Sequence, residues 1–483
     1  MFSPRVIARS VATKQSLTMI KTQEKLLIWA VLLLALGMRI HAMSRSLFYD
    51  ELYTVTHCIQ AQSFLDALYK DFSTANHLGY SAIAYLVCHI MGTTELSLRL
   101  PALFFGLGSI FIFWQLSLKY FGETTAIIGS ILLALAPAHI IWSASGRGYS
   151  ACIFFTILST SLYFSLLEKP SLKTALKLAL ANAFGFSFQI LFLFVFLAQC
   201  LHWAAVSVRV FSKQDLSIKR NALLYVLLSL GASLLFSILI YYPVLSILTG
   251  MSSSHSSLAA DFPLTLLRDL LSLPLWPLGT ICLVLIFIGL ITANSRLPYW
   301  RLYVILLFLT VFPLWLSKPV YLYPRFFAFL LPFFFLLMAQ GLSSIVKNSP
   351  RSTRPYLLII YLALFGCVLW SWASKPSKIV EDFKFKFRES IQFAEKASSD
   401  QTRFCAFGPE DGYFQFYAHR PVVRFNTFDE FLAFYRQEKE IICFAMMGPP
   451  MPEEHKKMLL YVLSLGDIKQ KSFDNIIVFD LKG

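Results

Sequence analysis

Eleven long apolar stretches constrain this chain of 483 residues more than any other feature of its sequence. A helix needs about 20 consecutive apolar residues to cross the hydrocarbon core of a membrane, which is roughly 30 Å thick. The stretches lie at about 25–42, 97–119, 124–142, 148–167, 173–188, 189–210, 221–242, 275–294, 299–317, 325–346 and 355–373. The sequence therefore predicts an α-helical polytopic membrane protein with about eleven transmembrane helices.

A further apolar run, 77–91, is shorter and is interrupted by Cys88 and His89, so the distribution of charge must decide whether it crosses. Lysine and arginine concentrate in cytoplasmic loops. With a cytoplasmic N-terminus and eleven crossings, the inner segments carry a net charge of +14, and the outer segments and helix ends carry +1. If 77–91 crossed, the basic clusters at 209–220 and 347–354 would lie outside. We therefore expect 77–91 to form an interfacial helix in the first outer loop.

The net charge of the whole chain, +15, could indicate a nucleic-acid partner, but its distribution argues against one. Residues 374–483 contain 16 basic and 16 acidic side chains, so the whole excess belongs to the hydrophobic part of the chain. Only 14% of all residues are charged, whereas roughly 25% is usual in soluble proteins. The excess therefore indicates membrane topology, and the expected partners include membrane lipids but no nucleic acid.

The pattern divides the chain into three parts: a basic, disordered N-terminus (1–24), a transmembrane domain (25–373) and a C-terminal domain (374–483). In the last part, short apolar runs alternate with amphipathic stretches, which predicts a small α/β soluble domain. The predicted strands are Arg403 to Phe407, Val422 to Phe425, Ile441 to Met446 and Asn475 to Leu481, and the predicted helices are Phe387 to Ala397, Asp429 to Arg436 and Glu453 to Leu465. An odd number of crossings places this accessory domain outside the cytoplasm.

Two groups of polar residues in the first outer loop are candidates for chemistry. Asp50 and Glu51 lie between aromatic residues shortly after the first apolar stretch. A carboxylate among apolar neighbours at a membrane surface is suited to act as a general base. His77 opens the interfacial helix, where an imidazole could contact an anion. The alternatives are a solvated interfacial turn for the acidic pair and an amphipathic surface residue for His77.

Two arginines lie at the outer ends of later apolar stretches. Arg147 is flanked by Gly146 and Gly148, and Arg325 lies among aromatic residues. Arginine matches phosphate oxygens well, and glycines let a ligand approach the backbone. Either arginine taken alone could instead extend toward lipid headgroups. One outer layer with an acidic pair, a histidine and two arginines favours a reaction on a lipid-linked phosphate. A polytopic transporter or flippase and a non-catalytic subunit of a surface-polymer assembly complex stay open as alternatives.

The same residues carry a resemblance to a known family. The acidic pair, His77 with Tyr80, the segment Glu95 to Phe104, the sequence Ala136-Pro137-Ala138-His139 and Arg147-Gly148-Tyr149 follow one another in this order. In this order they resemble the GT-C fold glycosyltransferases, most closely the bacterial branch related to protein O-mannosyltransferases and to the aminoarabinose transferase of lipid A. The similarity covers about residues 25–345. The chain departs from the family where Leu78 and Gly79 replace two prolines after the histidine.

The resemblance implies a sugar donor linked to a polyprenyl phosphate, with inversion at the anomeric carbon. By this similarity Asp50 is the base that deprotonates a hydroxyl acceptor, and Glu51 supports it or helps to hold a divalent metal ion. His77 and Arg325 contact the donor phosphate. The other implied substrate-binding residues are Tyr80, Arg147, Tyr149 and Tyr323.

The resemblance also implies a cellular setting. It is a bacterial inner membrane, in which transfer to a lipid, glycan or protein acceptor takes place at the periplasmic face. A divalent metal ion held by Asp50 and Glu51 is an open alternative, and no other cofactor is implied. The sequence alone does not identify the sugar or the acceptor.

Overall fold

The computed structural model describes residues 26–73, 76–212, 220–250, 275–292, 299–317, 324–356, 386–408, 411–447, 451–465 and 468–482, with a few single positions between these ranges. The predicted N-terminal segment 1–24, the domain boundary near residue 373, Tyr323 and most of the last apolar stretch lie outside the described residues.

The membrane domain is a succession of helices, of which the first, α1, is Leu26–Met43. The following helices are α2 Tyr49–Tyr53, α3 Phe64–Tyr69, α4 Leu78–Met91, α5 Glu95–Tyr120, α6 Glu123–Leu135, α7 Pro137–Ser143, α8 Tyr149–Glu168, α9 Leu172–Phe188, α10 Leu193–Phe211, α11 Arg220–Tyr241, α12 Leu245–Gly250, α13 Thr280–Thr292, α14 Trp300–Ser317 and α15 Leu331–Asn348. A π-helical turn, Thr54–Ile59, continues α2, and a 3-10 segment, Pro324–Leu330, leads into α15.

Six helices in the described part of the chain are long and apolar enough to cross a membrane. They are Leu26–Met43, Glu95–Tyr120, Tyr149–Glu168, Ile190–Phe211, Arg220–Ile247 and Arg325–Asn348. The bent pair α6 and α7 adds a seventh if the two form one span. The prediction of a multi-pass helical membrane protein is confirmed, whereas the count of eleven crossings stays a prediction.

The bend between α6 and α7 has a clear cause in the sequence. Pro137 has no amide hydrogen and restricts Ala136 to an extended conformation (φ −60°, ψ 124°), so the two helices meet at 64°. The break interrupts the helical hydrogen bonds around Ala134. The buried guanidinium of Arg39 donates to the Ala134 carbonyl over 3.1 Å and lies 2.6 Å from Nδ1 of His139. These two contacts hold α1 against the bend between α6 and α7.

Helix α4 has 14 residues and is therefore about 21 Å long, too short to cross a membrane. Its last two turns expose the apolar side chains of Leu86, Ile90 and Met91, as expected for a helix that lies against lipid. This agrees with the prediction of an interfacial helix rather than a further crossing.

The C-terminal part contains one five-stranded sheet in the order β2-β1-β3-β5-β4. Its strands are β1 Arg403–Phe407, β2 Val422–Arg424, β3 Glu440–Met446, β4 Lys469–Phe473 and β5 Ile476–Lys482, and its helices are α16 Phe387–Ala397, α17 Phe428–Gln437 and α18 Glu453–Ser464. Strand β1 is parallel to β2 and β3, whereas β5 is antiparallel to β3 and β4. All four predicted strands and all three predicted helices are present, and β4 is an addition at the sheet edge.

The two faces of this sheet have different partners. Cys405 and Phe407 lie in a core covered by α17 and α18. Phe404 and Ala406, which point to the other face, belong to the same apolar core as the membrane domain. The ring of Tyr413 meets the ring of Tyr49 edge to face, with centroids 5.6 Å apart. The sheet domain therefore packs on the end of the helical bundle that carries the first loop.

Candidate active site

The two acidic residues of the first loop lie in the first turn of α2, but their side chains have different surroundings. Consecutive residues of an α-helix point about 100° apart because a turn contains 3.6 residues. Asp50 and Glu51 therefore cannot share one environment, although they are adjacent in sequence.

Glu51 is fully buried and its carboxylate is saturated with donors. Oε1 accepts from Nε of Arg99 over 2.7 Å and from the amide of Gly146 over 2.5 Å. Oε2 accepts from Nη2 of Arg99 over 2.6 Å and from the amide of Phe48 over 3.1 Å. Such a paired, fully bonded buried ion is stable where it is and has no lone pair directed at a substrate. Glu51 therefore supports the turn that carries Asp50, and a direct catalytic role for it stays a prediction.

Asp50 has the opposite orientation. Its Oδ2 lies 3.5 Å from Nη2 of Arg325, which reaches it from the start of the segment before α15. Its side chain is 9% exposed and that of Arg325 is 21% exposed. This ion pair is therefore mostly buried, and Asp50 is the more exposed of the two carboxylates.

Arg147 contacts the same turn from the loop that joins α7 and α8. Its Nη1 donates to the backbone oxygen of Asp50 over 3.1 Å and to Oγ1 of Thr54 over 2.9 Å. A further side-chain hydrogen bond joins it to Tyr149 at the start of α8. The structure thus brings both arginines to Asp50, Arg147 at its backbone oxygen and Arg325 at its carboxylate.

His77 precedes α4 and completes the group. Its Nδ1 lies 2.5 Å from the carbonyl oxygen of Phe188, which only accepts, so Nδ1 carries the proton. The ring meets that of Tyr149 edge to face, with centroids 4.9 Å apart. Burial and the Arg147 guanidinium lower the pKa of His77 well below its usual range, so the free protein holds a neutral ring with its lone pair on Nε2.

Two glycines permit this close approach. A Cβ on Gly148 would lie 2.5 Å from the carbonyl oxygen of Phe188 and 3.0 Å from Nδ1 of His77. A Cβ on Gly79 would lie 2.5 Å from Oγ of Ser187. The glycine that departs from the family sequence therefore lets α4 pack against the end of α9.

Tyr80 has a structural contact beside its predicted substrate-binding role, which stays a prediction. Its side chain is buried, and its hydroxyl donates to the carbonyl oxygen of Leu98. Tyr80 therefore fixes α4 to α5. Tyr323, the other predicted tyrosine, lies outside the described residues, and its role stays a prediction.

Arg99 is the main residue of this region that the sequence did not single out as functional. Besides Glu51 it binds three backbone oxygens, those of Met43 over 2.8 Å, Arg45 over 2.7 Å and Ser46 over 3.0 Å. A buried arginine in the first turn of an apolar helix is costly unless it is paired, and that cost was a signal of an acidic partner.

The donor set does not fit a divalent metal ion at the acidic pair. Both oxygens of Glu51 are occupied by Arg99 and backbone amides, so only Asp50 has a carboxylate to offer. No group of three or more His, Cys, Asp or Glu side chains is arranged for metal binding among the residues that the structure describes. The steps proposed below therefore use no metal.

Comparison with solved structures identifies the fold. The chain superposes on ArnT from Cupriavidus metallidurans in the apo state with a TM-score of 0.58 and 12% identity, covering 97% of this chain and 98% of that chain. ArnT from the same organism bound to undecaprenyl phosphate gives a TM-score of 0.59 and 12% identity, with coverage of 96% and 98%. The chain therefore has the GT-C fold, which confirms the predicted resemblance, and the structural similarity extends into the C-terminal domain.

The sequence match to a known family covers less of the chain than the structural match does. The family model for dolichyl-phosphate-mannose-protein mannosyltransferases matches residues 77–235, about a third of the chain. This range includes His77, Arg99, Arg147 and Tyr149. No curated protein matches the chain significantly.

Proposed function

We propose that this protein, which has the GT-C fold, is a membrane glycosyltransferase that moves a sugar from a polyprenyl-phosphate donor to a hydroxyl acceptor. Transfer takes place with inversion at the anomeric carbon, on the periplasmic face of a bacterial inner membrane. The observation that carries the proposal is the position of Asp50, whose carboxylate lies 3.5 Å from Arg325 and whose backbone oxygen accepts a hydrogen bond from Arg147. The undecaprenyl phosphate in the similar ArnT structure supports a donor of this class.

Asp50 acts as the general base of the transfer. Its carboxylate takes the proton of the acceptor hydroxyl while the acceptor oxygen attacks the anomeric carbon of the donor. The bond between that carbon and the phosphate oxygen breaks, and its electron pair leaves with the polyprenyl phosphate. Attack from the face opposite the phosphate inverts the anomeric carbon.

The arginine side chains stabilise the phosphate that leaves. Charge grows on the phosphate oxygens as the bond breaks, and fixed guanidinium groups in a mostly buried site stabilise that charge. Arg147 is already held by Thr54 and the backbone of Asp50, so it needs little reorganisation. The His77 ring packs edge to face against Tyr149, which is hydrogen-bonded to Arg147, and so helps to hold this cation in place.

Arg325 interacts with the general base and also with the donor phosphate. Without a donor, it and Asp50 neutralise each other across 3.5 Å. A bound donor phosphate competes for the same guanidinium. Arg325 then neutralises less of the negative charge on the Asp50 carboxylate. Glu51 and Arg99 contribute by position, because their buried ion pair fixes the turn that carries Asp50.

The proposed function is tested with the purified protein in nanodiscs and a panel of polyprenyl-phosphate sugars. We expect acceptor-dependent release of polyprenyl phosphate with at least one donor. If no donor is consumed but a labelled lipid-linked sugar crosses the bilayer of proteoliposomes that contain the same protein, the flippase alternative replaces this proposal. If neither occurs, the alternative of a non-catalytic subunit replaces this proposal.

Arg325→Lys is expected to raise KM for the donor by about tenfold, equivalent to roughly 1.4 kcal/mol. Lysine keeps the charge but loses the planar fork that binds two phosphate oxygens at once. The measurement is initial rate against donor concentration. Arg301→Lys, on an exposed residue of α14, is the control. An unchanged KM would remove Arg325 from the phosphate site.

Gly148→Ala is expected to lower kcat/KM by about tenfold to hundredfold, since displacing a binding group by 1 Å can have such an effect. The added methyl would collide with the Phe188 carbonyl and push His77 away. Gly231→Ala makes the same change in α11, where nothing lies within 4 Å of the new Cβ. Equal kinetics for the two variants would contradict the assigned position of His77.

A further inference from the structure

The segment between α1 and α2, residues 44–48, leads directly into the turn that carries Asp50, and it is held from two sides. From the membrane domain, Arg99 donates to the carbonyl oxygens of Met43, Arg45 and Ser46 over 2.7–3.0 Å. These bonds fix the side of the segment that faces the helical bundle.

The other side is held by the C-terminal domain. The amide of Leu47 donates to the hydroxyl of Tyr417 over 2.7 Å, and that hydroxyl in turn donates to Glu95. Nη1 of Arg388 donates to the second oxygen of Glu95 over 2.6 Å, and its Nη2 donates to the Ser44 carbonyl. We refer to Glu95, Arg388 and Tyr417 as the loop clamp.

Tyr417 has a particular place in the loop clamp because its hydroxyl accepts one hydrogen bond and donates another. Burial and the Glu95 carboxylate raise the pKa of Tyr417, so the hydroxyl keeps its proton and remains a donor. Leu47, its backbone partner, is fully buried and precedes Asp50 by three residues. A shift of this amide therefore changes the angle at which α2 begins.

The clamp is a bridge across the chain rather than local structure. Leu47 and Tyr417 are separated by 370 residues, and Arg388 and Glu95 by 293. The Arg388–Glu95 pair is only 28% and 19% exposed, so solvent screens it less than a surface pair. The contact between Tyr413 and Tyr49 lies beside it and extends the same attachment.

We propose that Tyr417 and Arg388, acting through Glu95 and the backbone of residues 44–47, are positioning residues that set the location of Asp50. This inference rests on the proposed function, because it gives the C-terminal domain a part in the same reaction. The domain then completes the site without contacting the reacting atoms. A C-terminal domain that only added stability would leave the approach to Asp50 unchanged.

The test compares Tyr417→Phe with Tyr435→Phe in the full-length protein in nanodiscs. Both remove one hydroxyl from the C-terminal domain, but Tyr435 packs on the opposite face of the sheet, against α18. The first readout is trypsin cleavage after Arg45, followed as the fragment that begins at Ser46. The second is kcat and KM for the donor, with thermal unfolding measured on the same samples.

We expect Tyr417→Phe to speed cleavage after Arg45 and to lower kcat by about tenfold to hundredfold, while KM for the donor changes by less than about threefold. Tyr435→Phe should match the wild type in both readouts. Glu95→Gln, which breaks the pair with Arg388 and keeps an acceptor for Tyr417, should give the same pattern and replaces Tyr417→Phe if that variant does not fold.

The proposal is overturned if cleavage after Arg45 is as slow in Tyr417→Phe as in the wild type. It is equally overturned if cleavage is faster while kcat is unchanged. A wild type that is inactive with every donor would refute the proposed function and the catalytic purpose of the clamp together. Faster cleavage in that case would still show that the clamp holds the loop, so the two failures are distinguishable.

Discussion

Asp50→Asn is expected to lower kcat for sugar transfer by about 10²- to 10⁴-fold, the range that a positioned general base contributes. Asparagine has nearly the size of aspartate and still accepts hydrogen bonds, but it cannot take the acceptor proton. The variant should bind the donor at least as tightly as the wild type, because Arg325 loses the carboxylate that lies 3.5 Å away. A fall in kcat without a rise in KM for the donor is therefore the expected signature.

The measurement is acceptor-dependent release of polyprenyl phosphate under single-turnover conditions, so that product release does not hide the chemical step. Asp66→Asn makes the same substitution in α3 of the same loop, where the side chain is half-buried. It should retain wild-type rates. If Asp50→Asn keeps more than about a tenth of the wild-type kcat, Asp50 is not the base, because general-base catalysis contributes at least about a hundredfold.

Glu51→Gln is expected to destabilise the protein by about 3–5 kcal/mol, the usual effect of removing one member of a buried ion pair. Arg99 would keep its full charge among three carbonyl oxygens without the carboxylate that is hydrogen-bonded to it, in a position that is only 3% exposed. Differential scanning calorimetry in nanodiscs should therefore show a large fall in Tm. Activity should fall as well, because the turn before Asp50 loses the bonds that fix it.

The matched control is Glu168→Gln, which breaks the Lys119–Glu168 pair at the other end of α5. That pair is half-exposed and should contribute at most about 1 kcal/mol. Replacing both partners, as Glu51→Gln with Arg99→Met, should recover part of the lost stability because no unpaired charge remains. Similar Tm values for Glu51→Gln and Glu168→Gln would show that the buried pair does not stabilise the fold.

The C-terminal domain was the part of the fold that the sequence predicted best. Its strands are short apolar runs and its helices are amphipathic, so each element has its own local signal. Strand β4 was missed because Lys469–Phe473 is a mostly exposed edge strand with two lysines, and such strands lack alternating apolar residues. The apolar stretches likewise predicted the six long apolar helices of the described residues, since hydrophobic length is a property of a single segment.

The candidate site was predicted in composition but not in detail. The sequence indicates that Asp50, His77, Arg147 and Arg325 belong to one outer layer, and the structure brings these four together. It could not indicate which acidic residue is accessible, because that depends on Arg99, which follows Glu51 by 48 residues. Tyr80 was assigned from its place in a motif, whereas its direction is set by the Leu98 carbonyl. Side-chain partners of this kind depend on tertiary contacts that no local pattern encodes.

The hydrogen bond between Leu47 and Tyr417 also has a consequence for the order of biosynthesis. The two residues are 370 positions apart, so at about 5–20 residues per second the ribosome needs about 20–70 s to make the second after the first. During that interval the membrane helices can insert, but the segment before Asp50 has no hydroxyl to bind. The segment before Asp50 therefore acquires this hydrogen-bond partner only after the C-terminal domain has been translated and folded.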